Sequence, residues 1–207
     1  WSYDQRALVC HIRSEKAHAA IAYQRFLATG PLALLPLADG RCSIVWSVDE
    51  TLATELLSLS DDEFRARLTE ASQSRLGAVL DSTPRLSFPL RAQHADRYVG
   101  EAFALVGDSA HVIHPLAGQG VNLGLADVEA LVRTLVNARE KSQGIGRLRV
   151  LKRYERVRRA ANLEALALTD GLYRLFSQRL PFLARGLSMT NRLAPLKREL
   201  AKRAMGV

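Results

Sequence analysis

Residues 104–124 read Ala104-Leu-Val-Gly107-Asp108-Ser-Ala-His111-Val-Ile-His114-Pro115-Leu-Ala-Gly118-Gln119-Gly120-Val121-Asn122-Leu-Gly124. An apolar run from Phe103 to Val106 delivers Gly107 and Asp108, a carboxylate at a strand end. A proline-punctuated loop, His114-Pro115-Leu116, follows, then an amide between glycines, Gly118-Gln119-Gly120. The pattern turns helical from about Val121 to Ala138. Strand end, tight loop and helix N-terminus together make a place to hold a polar cofactor.

Each position has its own chemistry. Asp108 can accept hydrogen bonds from vicinal hydroxyls, such as those of a sugar or ribityl chain. Gly118 and Gly120 let backbone approach a flat ligand closely, and Pro115 fixes the loop before them. The helix beginning near Val121 and Asn122 directs unpaired N–H groups and its positive dipole end at that ligand. Asp108, His111 and His114 could be imagined as a metal cluster, but Pro115 breaks the regular helix such spacing would need. No metal is expected; His111 reads as a structural hydrogen-bonding residue and His114 as a loop residue near the cofactor's edge.

The stretch resembles the second FAD-binding motif of the class A flavoprotein aromatic hydroxylases, the para-hydroxybenzoate hydroxylase superfamily. That pattern is Gly-Asp-x-Ala-His-x-x-x-Pro-x-x-Gly-Gln-Gly-x-Asn, with Ser109 here at the free position. More narrowly the chain resembles the ubiquinone-biosynthesis hydroxylases. The matching pieces include Tyr3-Asp4-Gln5, Gln24-Arg25-Phe26, Gly30-Pro31-Leu32-Ala33, Ser43-Ile44-Val45-Trp46 and Phe88-Pro89-Leu90. The resemblance implies an FAD-dependent monooxygenase that uses O₂, with NAD(P)H as reductant, to hydroxylate a polyprenylated phenol of ubiquinone synthesis. Asp108, Pro115, Gly118, Gln119, Gly120, Val121 and Asn122 are then the cofactor-binding residues, and no residue stands out as a general base. The competing readings are a prenyl reductase or halogenase on the same flavin fold, and a non-catalytic membrane- or partner-interaction module built from the basic helical tail.

The N-terminal Gly-x-Gly-x-x-Gly of that superfamily, where a helix N-terminus takes the pyrophosphate, does not occur in this chain. Its central Asp-Gly motif is missing too, and the chain starts with Trp1. The expectation is a C-terminal portion of a longer enzyme, with the dinucleotide-binding half missing, binding FAD poorly by itself.

Composition adds bounds. At 207 residues and 48% hydrophobic content, the chain can bury one core, or a small domain plus part of another. The net charge of +8 is uneven: residues 1–140 carry 13 basic and 17 acidic side chains, residues 141–207 carry 16 and 4. A basic tail of this kind suits an anionic partner, such as a membrane surface or other ubiquinone-biosynthesis proteins. Nucleic acid is not expected, because no recognised nucleic-acid fold or aromatic stacking pattern accompanies it. The reading is a cytoplasmic protein, peripheral on the inner membrane. The only cysteines, Cys10 and Cys42, read as buried reduced thiols.

The fold class expected is α+β or α/β: part of a Rossmann-like FAD-binding domain, an antiparallel-sheet substrate domain, and a helical C-terminal region. The boundaries expected are 1–97, 98–140 and 141–207. Strands are predicted at Ala7–Arg13, Leu32–Ala38, Cys42–Val48 and Arg85–Leu90, with a hairpin turn at Asp39-Gly40. Asp49 to Leu80 is helical in period, a second helix starting at Ser60 or Asp61 with Phe64 and Leu68 inward. Leu148–Phe176 reads as a helix with Tyr154, Val157, Ala161, Leu168, Leu172 and Leu175 inward, ended by Pro181 and followed by a short segment, Asn191–Met205. Leu175, Phe176 and the run Leu180–Leu187 form an apolar cluster within the basic region.

Overall fold

The computed structural model describes residues 1–115 and 118–177. They fall into two units, one comprising Ser2–Leu90 and the other Trp1 with the chain from Arg91 onward. The first boundary thus falls at residue 90, seven residues before the expected one. Residues 98–140 and 141–177 do not separate, because their two long helices pack on each other.

The first unit is a six-stranded sheet with two helices. Strands β1 (Ser2–Ser14), β2 (Tyr23–Leu27), β3 (Gly30–Pro36), β4 (Cys42–Asp49) and β5 (Val79–Ser82) lie in the order β2-β3-β4-β1-β5, and β6 (Leu86–Arg91) also pairs with β1. Alternation sorts the side chains onto two faces. Leu8, Cys10, Ile12, Leu32, Leu34, Ile44, Trp46 and Val48 point to one face and form a buried core with Ala53, Leu56, Phe64 and Leu68 of the helices. Cys10 and Cys42 lie in that core as free thiols, and burial pushes the Cys10 thiol up to about 12 against the opposing charge of Arg85. The Asp39-Gly40 turn is present, with Gly40 at φ +86° and the Asp39 carboxylate accepting from the Arg41 amide.

Local chemistry sets the helices. Asp49 caps α1 (Glu50–Ser58) through the Leu52 amide at 2.8 Å. Ser60 and Glu63 form a capping box at the start of α2 (Asp61–Ala71), where Phe64 and Leu68 are buried. The helical stretch does not reach Leu80: Gln73 and Ser74 adopt left-handed backbone, and the chain re-enters the sheet as β5.

In the second unit, Trp1 exchanges two backbone hydrogen bonds with Ala92, each 2.9 Å. Strands β7 (Gln93–His94) and β10 (His111–Val112) pair antiparallel, as do β8 (Val99–Gly100) and β9 (Phe103–Ala104). The strand expected to deliver Asp108 is therefore a two-residue hairpin arm, and Asp108 sits beyond it in a 3₁₀ turn, Gly107–Ser109. Helices α3 (Gly120–Glu140) and α4 (Leu148–Ser177) complete the unit around Tyr98, Val99, Ala110, Leu151 and Tyr154. Val121, Leu125, Val128, Val132 and Val136 make an exposed apolar stripe along α3.

The inward face of α4 differs from the apolar pattern. Tyr154 is buried, but Val157 and Leu168 are 63% and 59% exposed, while Asn162 and Thr169 are buried. Asn162 is turned inward because it donates to a buried carboxylate on α3, whereas the Thr169 hydroxyl donates to the Ala165 and Leu166 carbonyls of its own helix. The side chains of Leu172, Leu175 and Phe176, the run Leu180–Leu187, the break at Pro181 and the segment Asn191–Met205 lie outside the described residues.

His114 is fully buried, its ring stacked on Tyr173 of α4 at a centroid distance of 4.8 Å. Burial, partly offset by the charge of Asp170, pushes its pKa down to about 4. A histidine held neutral in the fold adds nothing against stability above its unfolded pKa, and destabilises as pH falls from about 6.5 toward the folded value. Unfolding by urea at pH 7 and pH 5 should therefore show a loss of about 2 kcal/mol at the lower pH from this group. His114→Gln should flatten that part of the slope.

Candidate cofactor site

The loop between β9 and α3 is shaped by glycines where the backbone crowds. Gly107 takes φ +57°, and a Cβ built on Gly124 of α3 would stand 3.3 Å from the Gly107 Cα. The 3₁₀ turn is thus laid directly on the helix, glycine against glycine. Ser109 closes the turn, its hydroxyl accepting from the Val106 amide at 3.2 Å and donating to the Val106 carbonyl at 2.7 Å. Asp108, in the middle, is exposed.

The far end of the loop is equally open. The Gly118 amide donates to the Pro115 carbonyl at 3.0 Å, and Gly118 has φ +61°. Among the described residues, a Cβ on Gly118 or on Gly120 would meet nothing within 4 Å, so neither glycine is required there by crowding from them. Gln119 stands at the N-cap of α3, but no side chain caps the helix there, and the first turn carries no acid. Val121 is 74% exposed, and Pro115 and Asn122 are exposed as well. The structure places Asp108 in a turn resting on α3, and Gly118, Gln119, Gly120, Val121 and Asn122 at the uncapped start of that same helix. His114 does not share their exposure; it is fully buried, with its ring stacked on Tyr173 of α4.

Asp127, which the sequence did not single out, organises the site from beneath. It is fully buried on α3. One oxygen, Oδ2, accepts from the Gly107 amide at 3.0 Å and pairs with His111 Nε2 at 2.6 Å. The other, Oδ1, accepts from Arg158 Nε at 2.7 Å and Asn162 Nδ2 at 3.1 Å, both on α4. Burial by itself would raise its pKa; the bonds from His111, Arg158, Asn162 and Gly107 outweigh burial and hold it well below the usual carboxylate range. His111 is accordingly a structural hydrogen-bonding residue. Arg158 is turned inward, its side chain 11% exposed, whereas the basic residues Arg147, Arg149, Lys152, Arg153 and Arg156 nearby are exposed. The available signal was a lone acid among Leu123, Ala126, Ala130 and Leu131 on an otherwise apolar helix face.

Such a loop suits a flavin. The open glycine cradle admits a flat ring, the exposed carboxylate suits ribityl hydroxyls, and the uncapped N–H groups suit an anionic group. The FAD binding domain family matches residues 3–169. The ubiquinone hydroxylase UbiL of Rhodospirillum rubrum is 42% identical over 99% of this chain and 48% of its own length. The 3-demethoxyubiquinol 3-hydroxylase of Escherichia coli is 39% identical over 100% of this chain and 54% of its own. Among solved structures, PqsL of Pseudomonas aeruginosa in complex with 2-aminobenzoylacetate superposes with a TM-score of 0.73 at 24% identity, over 86% of this chain and 50% of that one. The chain spans about half the length of the curated relatives it matches. With most of its length matched, it belongs to the FAD-binding domain family.

Proposed function

We propose that the protein carrying this chain is an FAD-dependent monooxygenase that hydroxylates a polyprenylated phenol in ubiquinone biosynthesis, using O₂ and NAD(P)H. The observation that carries the cofactor side is the exposed Asp108 turn resting on α3, whose N-terminus is uncapped. Asp108 would accept hydrogen bonds from the ribityl hydroxyls. The backbone from Gly118 to Asn122 would face the pyrimidine edge of the ring system, where the helix dipole favours negative charge. When bound, FAD supplies the redox and oxygen-transfer chemistry; the protein positions it and keeps water out.

The substrate class is supported by the names of the relatives and by the surface of the sheet. On the face opposite α1 and α2, Val9, Val45 and Ala33 lie in one cross-strand row, with Leu35 and Phe26 nearby. Leu35 and Phe26 are 39% and 49% exposed, and the polar residues Gln24, Ser43 and His11 share the face with them. A prenylated phenol likewise combines apolar surface with a polar group. Arg147, Arg149, Arg153 and Arg156, just before and within the first turns of α4, are exposed cations, and their clustering supports an anionic membrane surface as their partner. That would place the protein on the cytoplasmic side of the inner membrane.

Three measurements test these readings. The purified protein carrying this chain, given NAD(P)H, ¹⁸O₂ and a polyprenylphenol, should place one ¹⁸O on the ring; NAD(P)H consumption without incorporation would favour a reductase or halogenase on the same fold. Asp108→Ala should raise the FAD dissociation constant about tenfold or more, the loss of one hydrogen bond to a charged group, and normal flavin stoichiometry at low FAD would remove the ribityl assignment. Reversing Arg149, Arg153 and Arg156 to Glu should lower binding to vesicles rich in anionic lipid several-fold, and unchanged binding would remove the membrane role.

A further inference from the structure

We infer that Asp127 is a positioning residue whose two oxygens couple the seat of α4 to the geometry of the flavin-binding turn, a reading that rests on the flavin assignment above. The division of labour is physical. Oδ2 serves the cofactor side, holding the Gly107 amide immediately before Asp108 and the ring of His111. Oδ1 serves α4, held by Arg158 and Asn162. A carboxylate is a rigid plane, so it cannot turn to follow one pair of donors without displacing the other.

Arg158 reaches further than the carboxylate. Its Nη2 donates to the Asn162 Oδ1 at 2.8 Å and to the Leu123 carbonyl at 3.4 Å. Leu123 lies in the opening turns of α3, the segment that begins with Gly120, Val121 and Asn122. One guanidinium thus holds both the carboxylate under the Asp108 turn and the backbone of the helix start. Asn162 extends the same network to Tyr98, whose hydroxyl lies 3.0 Å from His94 Nε2 on β7. None of these residues belongs to the Gly-Asp or Gly-Gln-Gly segments, and none is exposed.

The two cofactor-facing pieces, turn and helix start, meet at Gly107 and Gly124, where no side chain is present to lock them. Charge-assisted hydrogen bonds to a carboxylate are the strong, directional contacts available at that crossing. Asp127 therefore sets where Asp108 stands relative to α3, and Arg158 and Asn162 set where Asp127 stands.

The test uses Arg158→Met, Arg158→Lys and Asn162→Leu in the protein carrying this chain, read by FAD titration and by the visible circular dichroism of bound flavin at saturating FAD. Arg158→Met and Asn162→Leu should each raise the FAD dissociation constant at least fivefold and change the dichroism of the bound flavin. Arg158→Lys, which keeps the charge, should recover part of both. Should Arg158→Met fail to fold, Asn162→Ser reads the same oxygen with a smaller change. A weaker constant with wild-type dichroism in the loaded protein would mean a merely structural role and overturn the inference, as would unchanged values in both. Wild-type protein that takes up no FAD overturns the flavin reading and this inference with it; wild-type binding with unmoved variants overturns this inference alone.

Discussion

A carboxylate sealed from water costs several kcal/mol unless donors surround it. Asp127 meets that requirement with four, drawn from the 3₁₀ turn, β10 and α4. The requirement works as an assembly rule for the second unit. If the turn, the strand or α4 is out of place, a buried charge is left short of partners. The two short strand pairs have little ladder of their own, and this shared acceptor ties β10 to the helices.

The parts legible in the sequence are those decided by near neighbours. The Asp39-Gly40 turn, the Ser60 cap and the Gly-Asp and Gly-Gln-Gly segments each depend on residues a few positions apart. Strand β2 escaped because Tyr23–Leu27 mixes Gln24 and Arg25 into the alternation, while the Arg25 guanidinium bonds the Ala71 carbonyl rather than water. The inner face of α4 was misjudged for a related reason. Arg158 and Asn162 face inward to serve an acid 31 and 35 positions earlier, a demand no local periodicity records.

The sheet of the first unit shows the complementary case. Its helix-facing side is written in Leu, Ile, Val, Trp and Cys at every second position, and the core follows from that pattern. The opposite side carries a milder apolar set. There the sequence specifies strand without specifying what lies over it.

The crossing of the 3₁₀ turn on α3 has a consequence for chain length. Gly124 and Asp127 must both face the turn, one allowing contact and the other bonding it, while Gly120 must begin the helix. One residue inserted between Gly120 and Asp127 would rotate the two ends of α3 about 100° out of phase and part them by about 1.5 Å. The interval of seven positions between those residues is thus a mechanical dimension of the site, as tightly set as the identities of the residues that bound it.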